Sequence, residues 1–388
     1  MQSDERQLLM IPGPTMVPPP IMRESSRDMI NHRSPEFTAI MIDTLYGLKW
    51  VFQTQKAKIA LFTSSGTGGL ESAIVNSFSP GEKIFVVSMG WFGRRVRDIA
   101  TNFNLDVEYV ETEWGEAPTA EMIVEKMKAC NPKGVFLTHN ETSSGVELDL
   151  EGIAKAIRHE SKDILIFVDA VSSLAATELK FDEWDLDYVV SGTQKGLAVA
   201  PGIGIVCYSE RIEAERKKST MPKFYWDISK METFASRGQT PFTPAIPQIL
   251  GLQKSVEFLM GRGLDESILR HTTARNAVRK GVDAIGFKLL APIDIASRTV
   301  TAVKVPKRVK IDELLWLMKY KYGIEIAGGF GPLKGKIIRF GHLGHVKSWD
   351  IIAMLSSFTS SLMEIGYDVE GNAVGAAQKT FLESAGLQ

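Results

Sequence analysis

Short apolar runs rich in β-branched residues, each followed by a segment of helical periodicity, recur through the first two thirds of the chain. The runs Ile59–Phe62, Lys83–Val87, Asp106–Val110, Val135–Thr138, Ile164–Val168, Tyr188–Ser191 and Gly204–Tyr208 read as strands. The segments Gly68–Phe78, Arg94–Asn104, Ala120–Cys130 and Leu150–Glu160 read as helices between them. Strands that are apolar on both faces cannot leave either face in water. Parallel pairing needs a crossover, and a helix supplies it while covering the sheet. The alternation therefore predicts an α/β fold with a largely parallel sheet clothed on both sides.

The texture changes after about Gly261. A long polar helical stretch, Asp265–Ile285, leads to a strand at Thr299–Val305, a helix at Ile311–Tyr320, a strand at Ile337–Phe340 and a helix at Trp349–Ile365. This reads as a smaller α+β unit. Residues 370–388 are rich in Ala and Gly and read as an appended terminal helix.

Composition narrows the function classes. The chain has 388 residues, with 45 Lys plus Arg against 46 Asp plus Glu, and a net charge of −1. No global field draws in nucleic acid or an anionic membrane. No apolar run reaches the ~20 residues of a membrane span. Met1–Gln7 lacks the basic-then-apolar order of a signal peptide, and Gly386–Gln388 matches no retention address, so a cytoplasmic protein is expected. Cys130 and Cys207, beside apolar segments, read as inert thiols. Two cysteines and six scattered histidines form no zinc-ligand spacing, so no metal site is expected.

In open α/β sheets, ligands lie beyond the carboxyl ends of the strands. Three features fall there. Thr63-Ser64-Ser65-Gly66-Thr67-Gly68-Gly69 ends a strand and opens a helix, where free N–H groups and the helix dipole attract an anion. Alone it is equally an ordinary helix cap. Asp169 ends an apolar strand, where a lone acid can simply cap the next helix. Lys195 follows another apolar strand in a polar, Gly-bounded turn, where a surface lysine is unremarkable. Together they fit one cofactor. Pyridoxal phosphate needs an amine for its Schiff base, an acid for its ring nitrogen and a cradle for its phosphate.

At this point the sequence resembles the class V aminotransferases among the fold-type I pyridoxal-phosphate enzymes, in particular the alanine–glyoxylate and serine–pyruvate or serine–glyoxylate group. The resemblance runs from Ile11-Pro-Gly-Pro-Thr15 to Ile338-Arg339-Phe-Gly341. It passes through Leu137–Gly145, Val168–Ser173, Ser191-Gly-Thr-Gln-Lys195 and Glu325–Gly329. It implies a large domain at 15–260 with a mainly parallel seven-stranded sheet. A small α+β domain would span 261–388, joined by the N-terminal segment 1–14. It also implies a homodimer, pyridoxal 5'-phosphate, and small amino acid and 2-oxo acid substrates exchanged in a ping-pong cycle.

The resemblance assigns roles. Lys195 carries the cofactor and moves the Cα proton, which requires a lowered proton affinity. Asp169 pairs with the ring N–H, and Val171 touches the ring. Ser65, Gly66, Thr67 and Gln194 hold the phosphate. Thr243, from the other subunit, is expected to complete that cradle. Phe92, rather than the adjacent Trp91, stacks on the ring, and Thr142 keeps a hydroxyl near the ring oxygen. Arg339 clamps the substrate carboxylate with a planar fork that lysine cannot mimic. Gly13 allows close backbone approach. Arg94 and Arg95 read as helix-start surface charge, His32, His159, His271, His342 and His345 as structural or exposed, and His139, near Thr142, as shaping the pocket.

Other chemistries compete. A cysteine desulfurase needs a mobile cysteine in the second domain, and none follows Cys207. A kynureninase-like hydrolase or another lyase stays possible on this fold. A nicotinamide dehydrogenase needs GxGxxG, which the glycine run lacks. A non-catalytic binding protein would be free to lose Lys195 or Asp169. The amino donor stays open: serine or alanine is favoured, while Arg33 offers a second carboxylate site for an aspartate- or ureidoglycine-type donor, or a surface ion pair.

Overall fold

The computed structural model describes residues 7–385. The sequence readings at Met1–Arg6 and Gly386–Gln388 lie outside those residues. Seven strands form the main sheet: β1 (Lys58–Thr63), β2 (Lys83–Ser88), β3 (Asp106–Glu111), β4 (Gly134–Thr138), β5 (Leu165–Asp169), β6 (Tyr188–Gly192) and β7 (Ile203–Tyr208). Their spatial order is β1-β7-β6-β5-β4-β2-β3. Every pair is parallel except those made by β7, which runs antiparallel to β1 and β6. The central strands are buried along their whole length, as two-sided coverage requires.

The crossover helices form where side chains satisfy their ends. In α5 (Leu150–Glu160), Asp149 accepts from Gly152 N at 3.1 Å, and Leu150, Ile153, Ala154 and Ile157 make one buried stripe. Truncating such a residue to alanine costs about 2–5 kcal/mol. In α4 (Ala120–Cys130), Thr119 caps the start, and Asn131, at φ 45°, turns the chain out of the end.

Two long helices lie outside the alternation read from the sequence. These are α1 (Pro35–Val51) and α6 (Ile246–Arg262). For α1 the signal was local: Ser34 Oγ accepts from Phe37 N at 3.2 Å and Pro35 opens the first turn. The two helices pack so closely that a Cβ on Gly47 would overlap Val256 Cγ1.

The C-terminal part holds a second sheet, ordered β8-β9-β11-β10. Its strands are β8 (Lys288–Leu289), β9 (Val300–Lys304), β10 (Ala327–Gly328) and β11 (Ile337–Gly341). Helices α7 (Leu264–Ala284), α8 (Ser348–Glu364) and α9 (Ala373–Ala385) cover it. The helix expected at 311–320 is α-helical over Ile311–Trp316 and then widens into a π turn at Leu317–Lys321.

The N-terminal segment ties the two sheets together. Leu8–Leu9 pairs with Ile324–Glu325, and Met10 is buried in the core beneath the second sheet. A few residues later Thr15 N donates to the carbonyl of Gln194 at 3.0 Å, beyond the end of β6. The segment between them therefore crosses the carboxyl edge of the main sheet.

Candidate active site

Parallel pairing sets the register of this edge. Asp169, the last residue of β5, lies opposite Val190 of β6, and the turn after β6 carries Lys195. Both side chains therefore leave the same edge of the sheet, one strand apart.

Lys195 is half-buried, and its Nζ donates to the Pro12 carbonyl at 2.5 Å. Burial lowers its proton affinity to about 8; Arg339 and Arg95 push the same way, while Asp169 opposes them. An amine that sheds its proton near neutrality is what nucleophilic attack on a carbonyl needs. Burial raises the carboxyl of Asp169, and the Val171 N–H, Arg95 and Lys195 pull it back. Its Oδ1 accepts from Val171 N at 2.9 Å, and its other oxygen has no hydrogen-bond partner among the described residues. Lys195 and Asp169 each shift the other's proton affinity, so the two charges lie within electrostatic reach of one another.

The helix start after β1 is built for close approach. α2 spans Gly66–Ser77, and the side chain of its N-cap, Ser65, makes no capping hydrogen bond. Ser65 thus holds the N-cap position with its hydroxyl left free of the helix. Ser65 is exposed and Thr67 half-buried. A Cβ on Gly66 would come within 2.7 Å of Val171 Cγ2, which brings this turn against the turn after Asp169. Gln194 is half-buried beside Lys195 and spends its carbonyl on Thr15.

Arg339 lies on β11 and is buried. Its Nε donates to the Gly328 carbonyl at 2.9 Å and its Nη1 to the Thr142 carbonyl at 2.8 Å. Nη2 has no hydrogen-bond partner among the described residues, and the guanidinium lies 4.4 Å from the centre of the Phe330 ring. Burial lowers its proton affinity to about 10, which leaves it charged at neutral pH. Thr142 itself is buried. The backbone anchors fix the fork and leave one edge for a carboxylate.

Phe92 is half-buried in the first turn of α3 (Trp91–Asn102) with the Arg95 guanidinium 4.7 Å from its ring centre. Trp91 is 42% exposed and lies against Phe330, with ring centroids 6.0 Å apart. The surface-charge reading holds for Arg94, which pairs with Glu111 at 2.5 Å. It fails for Arg95, whose charge reaches both Asp169 and Lys195.

Sequence reasoning missed Glu141. This fully buried carboxylate accepts from Phe92 N at 2.9 Å and Gly93 N at 3.2 Å through one oxygen. The other accepts from Ser143 N at 3.0 Å and Ser143 Oγ at 2.6 Å. Glu141 thus caps α3 from a distant part of the chain and sets where Phe92 begins. The only local hint was its place in the His139–Thr142 run.

Thr243 stands apart. It is exposed on the Pro-rich loop and makes no side-chain hydrogen bond among the described residues. The loop does reach the end of β1, where Ala245 N donates to Thr63 Oγ1 at 3.0 Å. Arg33 makes no ion pair among the described residues. Its Nη1 donates to Thr240 O at 2.6 Å and Gln239 Oε1 at 3.1 Å, which pins this loop.

An amine with weakened proton affinity, a buried carboxylate with a free oxygen and a glycine-lined helix start fit pyridoxal phosphate. The family model for Aminotransferase class-V matches residues 21–332, and the chain belongs to that family. It is a pyridoxal-phosphate-dependent transaminase. Among relatives, a protein named "Soluble hydrogenase, small subunit" from Synechococcus sp. is 37% identical, covering 97% of this chain and 98% of its own. The L-aspartate–glyoxylate aminotransferase of Paracoccus denitrificans is 34% identical, covering 97% and 96%. The crystal structure of ureidoglycine–glyoxylate aminotransferase from Bacillus subtilis superposes with a TM-score of 0.92 at 29% identity, covering 97% of this chain and 98% of that one.

Proposed function

We propose that this transaminase moves an amino group from a small 2-amino acid, serine or alanine in preference, to glyoxylate or pyruvate, in a ping-pong cycle. The observation that carries the reading is that Lys195 and Asp169 leave one edge of the main sheet while Arg339, on β11 of the second sheet, acts on Lys195, each with an unspent polar group or a perturbed proton affinity. Pyridoxal phosphate, when bound, supplies the carbonyl that takes up amino groups and the ring that withdraws electrons.

This chain's residues do the rest. Lys195 Nζ holds the cofactor until a donor arrives, then carries the donor's Cα proton across the reacting carbons. Asp169 keeps a proton on the ring nitrogen through its free oxygen. Val171 would give the ring an apolar contact and Phe92 an aromatic one. Ser65, Gly66, Thr67 and Gln194 hold the phosphate, and Thr142 places a hydroxyl near the ring oxygen. Arg339 orients the α-carboxylate of donor and acceptor, and Gly13 leaves room above Lys195.

Two of the relatives described above are named as glyoxylate aminotransferases, which supports that acceptor. The donor preference rests on Arg33. Its Nη1 is spent on Gln239 Oε1 and Thr240 O, which favours a loop-pinning role over a second carboxylate clamp. An aspartate- or ureidoglycine-type donor is the alternative. A hydrogen-activating centre built on soft thiolates is not favoured by the donor set, since the chain's two cysteines lie on α4 and in β7.

The large unit is assigned to 15–260, and the small unit to 261–388 with 1–14, because Met10 joins the second core. The enzyme is assigned as a homodimer in which the partner's 239–245 loop, through its exposed Thr243, completes the phosphate cradle. Two unpaired cysteines suit a reducing cytoplasm. The test is a panel of serine, alanine, aspartate and ureidoglycine against glyoxylate and pyruvate. The highest kcat/KM is expected for serine or alanine with glyoxylate. A clear preference for aspartate or ureidoglycine overturns the donor assignment.

A further inference from the structure

A second pocket of about 380 Å³ lies behind the turn that carries Lys195, against Gly196, Leu197 and Ala198. It shares no lining residue with the cradle at Ser65–Thr67. One wall is apolar, made by Pro18, Ile21 and Phe258. The rim is basic: Arg262, Arg270, His345 and Lys347 line it together with one carboxylate, Glu266. The same five residues line an adjoining cavity of about 490 Å³.

Three permanent cations against one acid leave a surplus of two positive charges. Arg262 and Arg270 make no ion pair and no side-chain hydrogen bond among the described residues, and Glu266 forms no salt bridge there. Lys347 turns its ammonium to the Trp349 ring at 4.7 Å. The cations feel one another. His345 is pushed down to about 4 by burial and by Arg270, Lys347 and Arg262. Arg270 is lowered by burial and by Arg262. Clustered, uncompensated guanidinium groups repel unless an anion stands between them. A phosphate monoester carries about −1.5 to −2 charges at neutral pH, which matches the surplus, and its oxygens match the guanidinium fork. The apolar wall then calls for an organic body on that phosphate.

We propose that this pocket binds a small organic phosphate, with its dianionic head on Arg262, Arg270 and Lys347 and its body on the Pro18–Ile21 and Phe258 wall. The assignment is independent of the amino donor.

Calorimetric titration of the pyridoxal-phosphate-loaded enzyme tests it, with phenyl phosphate, inorganic phosphate and succinate as probes. One saturable site per chain is expected for phenyl phosphate, tighter than for inorganic phosphate or succinate, with the visible cofactor band unchanged at saturation. Arg270→Gln and Lys347→Gln should each weaken it about tenfold or more while leaving kcat and the cofactor band unchanged. The proposal is overturned by absence of saturable binding in the unmodified enzyme, or by unchanged binding in both variants. It is equally overturned if succinate binds as tightly as phenyl phosphate, if the probe displaces the cofactor, or if Arg270→Gln changes the oligomeric state, which would make the cluster a subunit contact.

Discussion

Lys195 Nζ donates to the carbonyl oxygen of Pro12 at 2.5 Å across a separation of 183 residues. The contact makes the N-terminal segment part of the site. Gly13, at φ +136°, lies directly on the lysine: a Cβ there would stand 2.5 Å from Nζ and 2.7 Å from Cε. We expect Gly13→Ala to displace Lys195 and lower kcat/KM on the order of 100-fold, the cost of misplacing a reacting group by about 1 Å. Circular dichroism should show an intact fold. Near-normal kinetics in this variant would remove Gly13 from the site.

The proton affinity of Lys195 gives a pH signature. Its value in the fold, about 8, is below the ordinary 10.5, so the neutral amine accumulates above pH 8. The rate at which cofactor-free enzyme captures pyridoxal phosphate should rise about tenfold per pH unit below 8 and level off above it. The sign for stability follows. The folded chain binds fewer protons than the unfolded chain between pH 8 and 10.5, so this group alone makes the cofactor-free fold more stable as pH rises through that window. Stopped-flow capture rates give the midpoint, and a midpoint near 10.5 would deny the depressed affinity.

Arg339 is held by the carbonyls of Gly328 and Thr142, which aims its free edge. Lysine keeps the charge but loses the fork and both anchors. Arg339→Lys should raise KM for amino donor and oxo acid on the order of 10- to 100-fold, as expected for losing charged hydrogen bonds worth about 1.5–3 kcal/mol. Cofactor content should stay unchanged. Steady-state kinetics with both substrates measures it, and an unchanged KM would place the carboxylate elsewhere.

Glu141 acts through others. Both its oxygens accept from donors only, two of them the N–H groups of Phe92 and Gly93. In Glu141→Gln, one oxygen becomes an NH2 facing those donors. Leaving such buried groups unpaired costs about 1–3 kcal/mol. We expect Phe92 to shift, with kcat falling about tenfold and the visible circular dichroism of the bound cofactor changing sign or intensity. Unchanged visible dichroism alongside lower stability would mean that Glu141 only supports the fold.

The strand-ending acid and the lysine were legible because chemistry at a parallel sheet edge obeys a local rule: apolar strand, then reactive residue. Each strand and crossover helix read from the sequence recurs in the structure within a few residues, since its apolar period is itself local. The class V family and its cofactor were legible from motifs, and the family match agrees. What escaped was long-range. Arg95 looks like surface charge until α3 is docked, and Glu141 matters only because the stretch after β4 brings its carboxylate to the N–H of Phe92. Helix α1 was missed although Ser34-Pro35 announces it, because its apolar residues lie in a segment with no neighbouring strand to frame them.

The central claim is that Lys195 and Asp169 grip opposite ends of one aromatic ring. Borohydride reduction of the loaded enzyme, followed by peptide mapping by mass spectrometry, tests it most directly. The account predicts a yellow protein whose colour is discharged and whose single pyridoxyl group sits on Lys195. A label on another lysine, or a colourless protein that binds no pyridoxal phosphate, would contradict it.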